Sequence, residues 1–301
     1  MIEKEKGVKS SNLLLLFLYL GLLIFHGCGG KTKPFNINSY ETVPSKVASK
    51  YILSKGVENL NAYDFKKVAI IEFNVEYLVN MPDSLYIKVT DELYKIFVNS
   101  IRTSTDWNVI GKNEVIKSSV FSDLRKNLIK RNVAGKGKDK TASITYPTSG
   151  LGIFSPTEQE IQSILYNGFD RRFQEPALLE DISAAAALKV HTIINYIRKG
   201  ETGRVVIVPS LKDISSSTKV DIFIGYSRIS ILGEKYMTSY DEEHFYKYKG
   251  HCSFLLDKAV VSYESITAKP GTFDLEEFVY WTKEMFKIYS EMLAIEISEN
   301  L

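Results

Sequence analysis

The chain has 301 residues, 45% of them apolar and 25% charged, which are the proportions of a globular protein with a buried core and exclude a disordered or fibrous one. A net charge of +2 excludes a global field that would recruit nucleic acid or an acidic membrane surface, so partners have to be read from local patches. The only cysteines, Cys28 and Cys252, exclude a disulfide framework.

Lys4, Lys6 and Lys9 outweigh Glu3 and Glu5, and an unbroken apolar stretch over residues 13–25 follows. The stretch is shorter than the roughly 18 residues of a spanning helix and ends at Phe25-His26-Gly27-Cys28, the order of a secretory signal peptide. The junction resembles that of a bacterial lipoprotein. That resemblance implies removal of residues 1–27, acylation of Cys28 as the first mature residue, and a place in the cell envelope at the outer membrane. Retention of the N-terminal helix as an uncleaved anchor is the alternative. Acylation would leave Cys252 without a disulfide partner, as a buried apolar strand residue whose neighbour His251 points to the opposite face. About 274 residues remain, enough for a substantial core. Residues 28–50 are rich in Gly, Lys, Ser and Asn and read as a flexible tether to a single α/β domain over residues 51–301.

Within that domain Lys67-Val68-Ala69-Ile70-Ile71-Glu72-Phe73 reads as a strand buried on both faces, with residues 74–81 as the loop after it. Pro82 and Asp83 open a helix marked by Leu85, Val89, Leu93, Ile96, Phe97 and Ile101. Residues 107–111 read as a second strand and 113–128 as a helix, a βαβ-type start.

Residues 130–156 lose this pattern and read as an insertion. Arg125, Lys126, Lys130, Arg131, Lys136, Lys138 and Lys140 are offset there only by Asp123 and Asp139. This cluster is the candidate surface for anionic envelope polymers or lipid headgroups; a solvated loop is the plainer reading. Thr157-Glu158-Gln159-Glu160 forms a capping box ahead of a helix through Phe169. Another helix is predicted from Pro176 through Ala187, leading into a strand over residues 190–197. Strands follow over 204–208, 220–232, 250–256 and 259–268, with Asp257-Lys258 as a bulge or tight turn between the last two. Asp274 and Glu277 take capping-box positions before Phe278, Trp281, Met285, Ile288, Met292 and Ile295, a stripe that predicts a long C-terminal helix docked on its own sheet or on a partner helix.

The order of these elements resembles the family of the curli-secretion lipoprotein CsgG and its periplasmic relatives. It rests on the Val68–Phe73 strand type, the strand Trp107-Asn108-Val109-Ile110, the passage from helix to strand over residues 184–197, and Phe254-Leu255-Leu256-Asp257-Lys258-Ala259-Val260-Val261-Ser262-Tyr263. The resemblance implies a mixed sheet flanked by helices in three layers, with a strand pair that turns at Asp257. It also raises a channel reading, for which residues 143–154 and 220–232 are the candidate membrane strands.

No cofactor motif is present. Gly135-Lys136-Gly137-Lys138 lacks P-loop spacing, and there is no Gly-x-Ser-x-Gly. Asp241-Glu242-Glu243-His244 matches no familiar metal spacing and reads as a solvated acidic loop. The sequence therefore predicts a lipid-anchored protein that acts by binding, held to a membrane by its lipid and meeting envelope proteins or anionic polymers, with oligomers allowed and no nucleic-acid partner. The alternatives are a subunit of an oligomeric outer-membrane secretion channel, and a hydrolase or metal-dependent enzyme built on Glu72, His244 or His251.

Overall fold

The computed structural model describes residues 34–39, 45–59, 66–78, 81–125, 132–134, 143–153, 174–199, 205–207, 215–233, 238–240, 246–248 and 251–301. In chain order the elements are β1 (Phe35–Asn36), α1 (Ser45–Ala48), β2 (Ile52–Lys55), β3 (Lys67–Tyr77), α2 (Asp83–Ser104), β4 (Asn108–Ile110), α3 (Lys112–Val115), α4 (Ser119–Arg125), β5 (Asn132–Ala134) and β6 (Ser143–Pro147). They continue with α5 (Gln174–Asp181), β7 (Ala186–Lys199), β8 (Val205–Ile207), β9 (Thr218–Gly233), β10 (Thr238–Tyr240), β11 (Tyr246–Tyr248), β12 (His251–Leu256), β13 (Val260–Lys269), β14 (Thr272–Phe273) and α6 (Leu275–Asn300).

The protein is an α/β fold built on a mixed sheet with the order β1-β13-β9-β7-β3-β6-β5 and a long C-terminal helix. β3 and β7 run parallel, β4 runs parallel to the first half of β3, and β9 runs antiparallel to β7 and β13. Two apolar clusters lie on opposite faces. On one, α2 and α6 cover Val68, Ile70, Phe73, Leu188, Val190, Ile229 and Ile231. On the other, Val115, Phe121, Leu124, Leu178 and Leu179 of α3, α4 and α5 cover Ala69, Ile71, Ala187 and Leu232. The continuous apolar run of β3 follows from burial on both sides.

β3 reaches Tyr77, beyond the strand end expected at Phe73. A register shift between Ile70 and Glu72 turns the strand, after which Val75 and Tyr77 face α2 and α6. The polar residues Asn74 and Glu76 alternate with them, and hydrogen bonds to β6 and β7 carry the strand through what reads by composition as a loop.

The expected helix over 113–128 is two short ones, α3 and α4, and residues 126–128 lie outside the described residues. The insertion at 130–156 is partly sheet: β5 and β6 extend it beyond β3, and Leu151 and Ile153 are buried. The helix predicted from Thr157 lies outside the described residues.

The helix predicted through Ala187 stops at Asp181. Ser183 takes φ 51° and Ala184 N–H donates to Leu179 O (2.8 Å), a left-handed stop that turns the chain into β7. Ala186 and Ala187 are fully buried strand residues. Ser183→Gly is expected to stabilise the protein by about 0.5–1 kcal/mol, because glycine adopts that backbone without a Cβ penalty. The check is the midpoint of urea unfolding at constant m.

The N-terminal boundary also moves. The tether expected over residues 28–50 is replaced, from Pro34 on, by described elements packed on the body: Phe35 and Ala48 are buried, Phe35 N–H donates to Ala259 O (2.9 Å), and β1 pairs with β13. Phe35 has the apolar surface for this, and its ring meets Tyr51 edge-on at 5.1 Å. Asp257-Lys258 is a bulge and not a hairpin. β12 and β13 run one after the other along the same edge of β9, Leu255 opposite Arg228 and Val260 opposite Ile224. The strand pair that the resemblance implied at Asp257 is therefore one interrupted line.

α6 docks on its own sheet. Its buried face is wider than the predicted stripe and adds Thr282, Phe286, Tyr289, Leu293 and Ile297, because α2 packs along its flank. Asp274 caps it, accepting from Glu276 and Glu277 N–H at 3.0 and 2.9 Å. Glu277 accepts instead from Thr267 N–H and from Lys219 Nζ, so it ties the helix to β13 and β9 and does not complete a capping box. Tyr289 donates to Ser227 Oγ at 2.6 Å, and Thr192 lies 2.7 Å from the same oxygen, a buried polar stitch between helix and sheet.

Candidate functional site

Beyond the cover of α3, α4 and α5, the second sheet face turns polar toward the carboxyl ends of the parallel strands β3 and β7, where open α/β sheets usually place their sites. Register sets three rows across β3, β7 and β9: Glu72, Lys189 and Ser230; Asn74, His191 and Arg228; Glu76, Ile193 and Tyr226. Alternate residues of a strand share a face, so all nine lie on one face of the sheet, Glu72 and Asn74 buried there.

Glu76 Oε2 lies 3.4 Å from His191 Nε2, and Ser143 of β6 also bonds the carboxylate. Burial pushes the Glu76 carboxyl up, but the bonds from His191 and Ser143 outweigh it and hold the group below the usual carboxylate range. The His191 ring meets Tyr226 edge-on at 6.1 Å, and Tyr226 is 41% exposed, so solvent reaches this row. Glu72, singled out from sequence, is buried, and its Oε1 accepts from Asn74 Nδ2. That bond gives one of the two buried carboxylate oxygens the partner that burial calls for. The surface supplies donors, acceptors and an aromatic edge, the groups that orient a polar ligand.

Among the cationic candidates, Arg125 is exposed at the end of α4. Lys126, Lys130, Arg131, Lys136, Lys138 and Lys140 lie outside the described residues, between α4, β5 and β6. Cys28 and His244 also lie outside them. Glu72 and the backbone of His251 stand three strand spacings apart, about 14 Å. Cys252 is fully buried in the core, and burial, followed by the nearby charge of Glu58, pushes its thiol up to about 12, which leaves no reactive thiolate.

A second polar cluster joins three elements. Lys112 Nζ donates to Asp91 Oδ1 at 2.8 Å and to Thr148 Oγ1 at 3.0 Å, and Ser149 donates to Asp91 through N–H (2.7 Å) and Oγ (2.5 Å). Burial works against the Asp91 charge, yet the bonds from Lys112, Ser149 and Thr148 hold its carboxyl down at about 2. The set fastens the loop after β6 to α2 and α3.

Glu76 and His191 are absent from the candidates read in the sequence. The signal that would have pointed to Glu76 is the alternation Asn74-Val75-Glu76-Tyr77, polar and apolar in turn, which continues a strand and puts two polar groups on one face.

No described helix is long and apolar enough to cross a membrane. Compared with known proteins, the chain matches no family model and no curated sequence.

Proposed function

We propose that the chain is an exported, lipid-anchored envelope protein that acts by binding. The observation that carries the reading is the lysine-led apolar segment ending at Gly27-Cys28. Cys28 takes the acyl chains. Each buried methylene stabilises the anchor by about 0.8 kcal/mol, so stable attachment needs more than one chain. The polar rows around Glu76, His191 and Arg228, with Arg125 and the cations near it, are the candidate contacts to envelope proteins or anionic polymers at the outer membrane.

The channel alternative, raised by the resemblance to the CsgG family, is less well supported. Ser143–Pro147 is bonded to β3 and β5, and β9 to β7 on one edge and to β12 and β13 on the other. Both candidate membrane strands are thus engaged within the sheet. The hydrolase alternative would draw on Glu72, His244 or His251; Glu72 stands on β3 and the backbone of His251 on β12, separated by β7 and β9. Cys28→Ala is expected to move the protein from the membrane to the soluble fraction of fractionated cells; undiminished membrane retention would contradict the proposal.

A further inference from the structure

From where the chain joins the sheet we infer that the edge formed by β1 and β2 is the surface that faces the lipid bilayer, and that the body is held there edge-on. The inference rests on acylation at Cys28. Phe35 is fixed to β13 by its N–H bond to Ala259 O and by pairing opposite Val260. Only the chain from Cys28 to Pro34 can therefore separate the lipid from the body. Six Cα steps span at most about 20 Å however the segment is arranged, and about 13 Å on average if it behaves as a coil. A tether reaching to residue 50 would have spanned about 75 Å. A body of this size has a diameter of about 48 Å, so the shorter leash cannot bring its far side to the headgroups.

What lies at the junction suits a bilayer surface. Asp257 N–H donates to Tyr51 O (2.7 Å), and Lys258 Nζ donates to Lys50 O (2.6 Å) while lying over the Tyr51 ring. Lys50 and Lys55 are exposed, and Leu53, on the outermost strand β2, is 43% exposed. Lys258 Nζ also pairs with Asp257 at 3.6 Å, and Glu58, just after β2, is exposed. Anionic headgroups attract the lysines, and an aliphatic side chain among lysines fits the interface. At the other end of the sheet order, β5 lies six strand spacings from β1, about 29 Å, so the strands flanking the Lys136 segment are turned away from the bilayer that holds the anchor.

The test uses the full chain recovered with its lipid and placed in vesicles of phosphatidylethanolamine and phosphatidylglycerol carrying a headgroup quencher. A fluorophore is attached through Lys55→Cys, beside the junction, or through Asn113→Cys, on α3 beyond β4. The expected result is quenching at least about threefold stronger at position 55, a contrast set by the ~20 Å leash. Inserting about 20 Gly and Ser residues between Gly30 and Lys31 should collapse the contrast without releasing the protein. Equal quenching of the two probes in vesicle-bound protein carrying the natural linker would overturn the edge-on arrangement alone. Protein that stays soluble, with a free thiol at Cys28, would overturn the acylation reading and this inference with it.

Discussion

Phe73→Ala is expected to destabilise the protein by about 3–5 kcal/mol, the cost of removing a fully buried aromatic ring from a core that cannot collapse around the void. The ring stands where both helices of the first face meet β3. Its centroid is 5.5 Å from that of Tyr94 and 5.7 Å from Phe97, both on α2, and 5.9 Å from Phe286 on α6. The substitution therefore loosens both helices at once, whereas Phe73→Leu keeps most of the volume and should cost less than half as much. Equilibrium unfolding in urea measures both. A loss below about 1 kcal/mol for the alanine variant would mean that α2 and α6 do not converge on this residue.

The second large effect belongs to Asp91. Asp91→Ala leaves Lys112, Thr148 and Ser149 facing a partly buried position without their acceptor, and should cost about 2–3 kcal/mol near neutral pH. The pH dependence identifies the cause. The folded Asp91 carboxyl is depressed to about 2 from its ordinary 3.8, so its contribution is complete above pH 4 and is lost as pH falls toward 2. The gap in stability between the natural protein and Asp91→Asn should accordingly be widest above pH 4 and narrow steadily below it. Chemical denaturation across that range provides the measurement, and a gap that stays constant down to pH 2 would show that the carboxylate charge is not what holds the loop.

The parts of the fold legible in the sequence are those with long, regular apolar periodicity. α2 was readable from Val89, Leu93, Phe97 and Ile101, all buried. α6 was readable from Phe278, Met285 and Met292. Central strands were readable from β-branched runs such as Val68 to Ile71. Less legible were pieces whose character comes from tertiary pairing. β1 has two residues and no periodicity of its own, and it becomes a strand because β13 offers it an open edge. β5 and β6 sit among glycines and lysines that suggest a loop, yet Tyr146 stacks on Tyr86 at 4.9 Å and draws β6 into the sheet. The end of α5 turned on the backbone of Ser183, a residue type with no strong signal for a left-handed stop.

The site was legible only in part, for a related reason. Glu72 attracts notice because it is a carboxylate in an apolar run, and the structure buries it with a hydrogen bond from Asn74. Glu76 and His191 are 115 positions apart in sequence and meet only because β3 and β7 run parallel in the register that sets Asn74 beside His191. Nothing local to either residue announces that meeting.

In the proposed function this body works at a membrane, held by lipid on Cys28. Intact-mass analysis of the protein extracted from the membrane fraction of its native host tests it most directly. The expected result is a mature chain that begins at Cys28 and carries added mass equal to a diacylglyceryl group, with or without a third acyl chain on the amine. A chain that begins at Met1, or one that begins elsewhere with Cys28 unmodified, would contradict it.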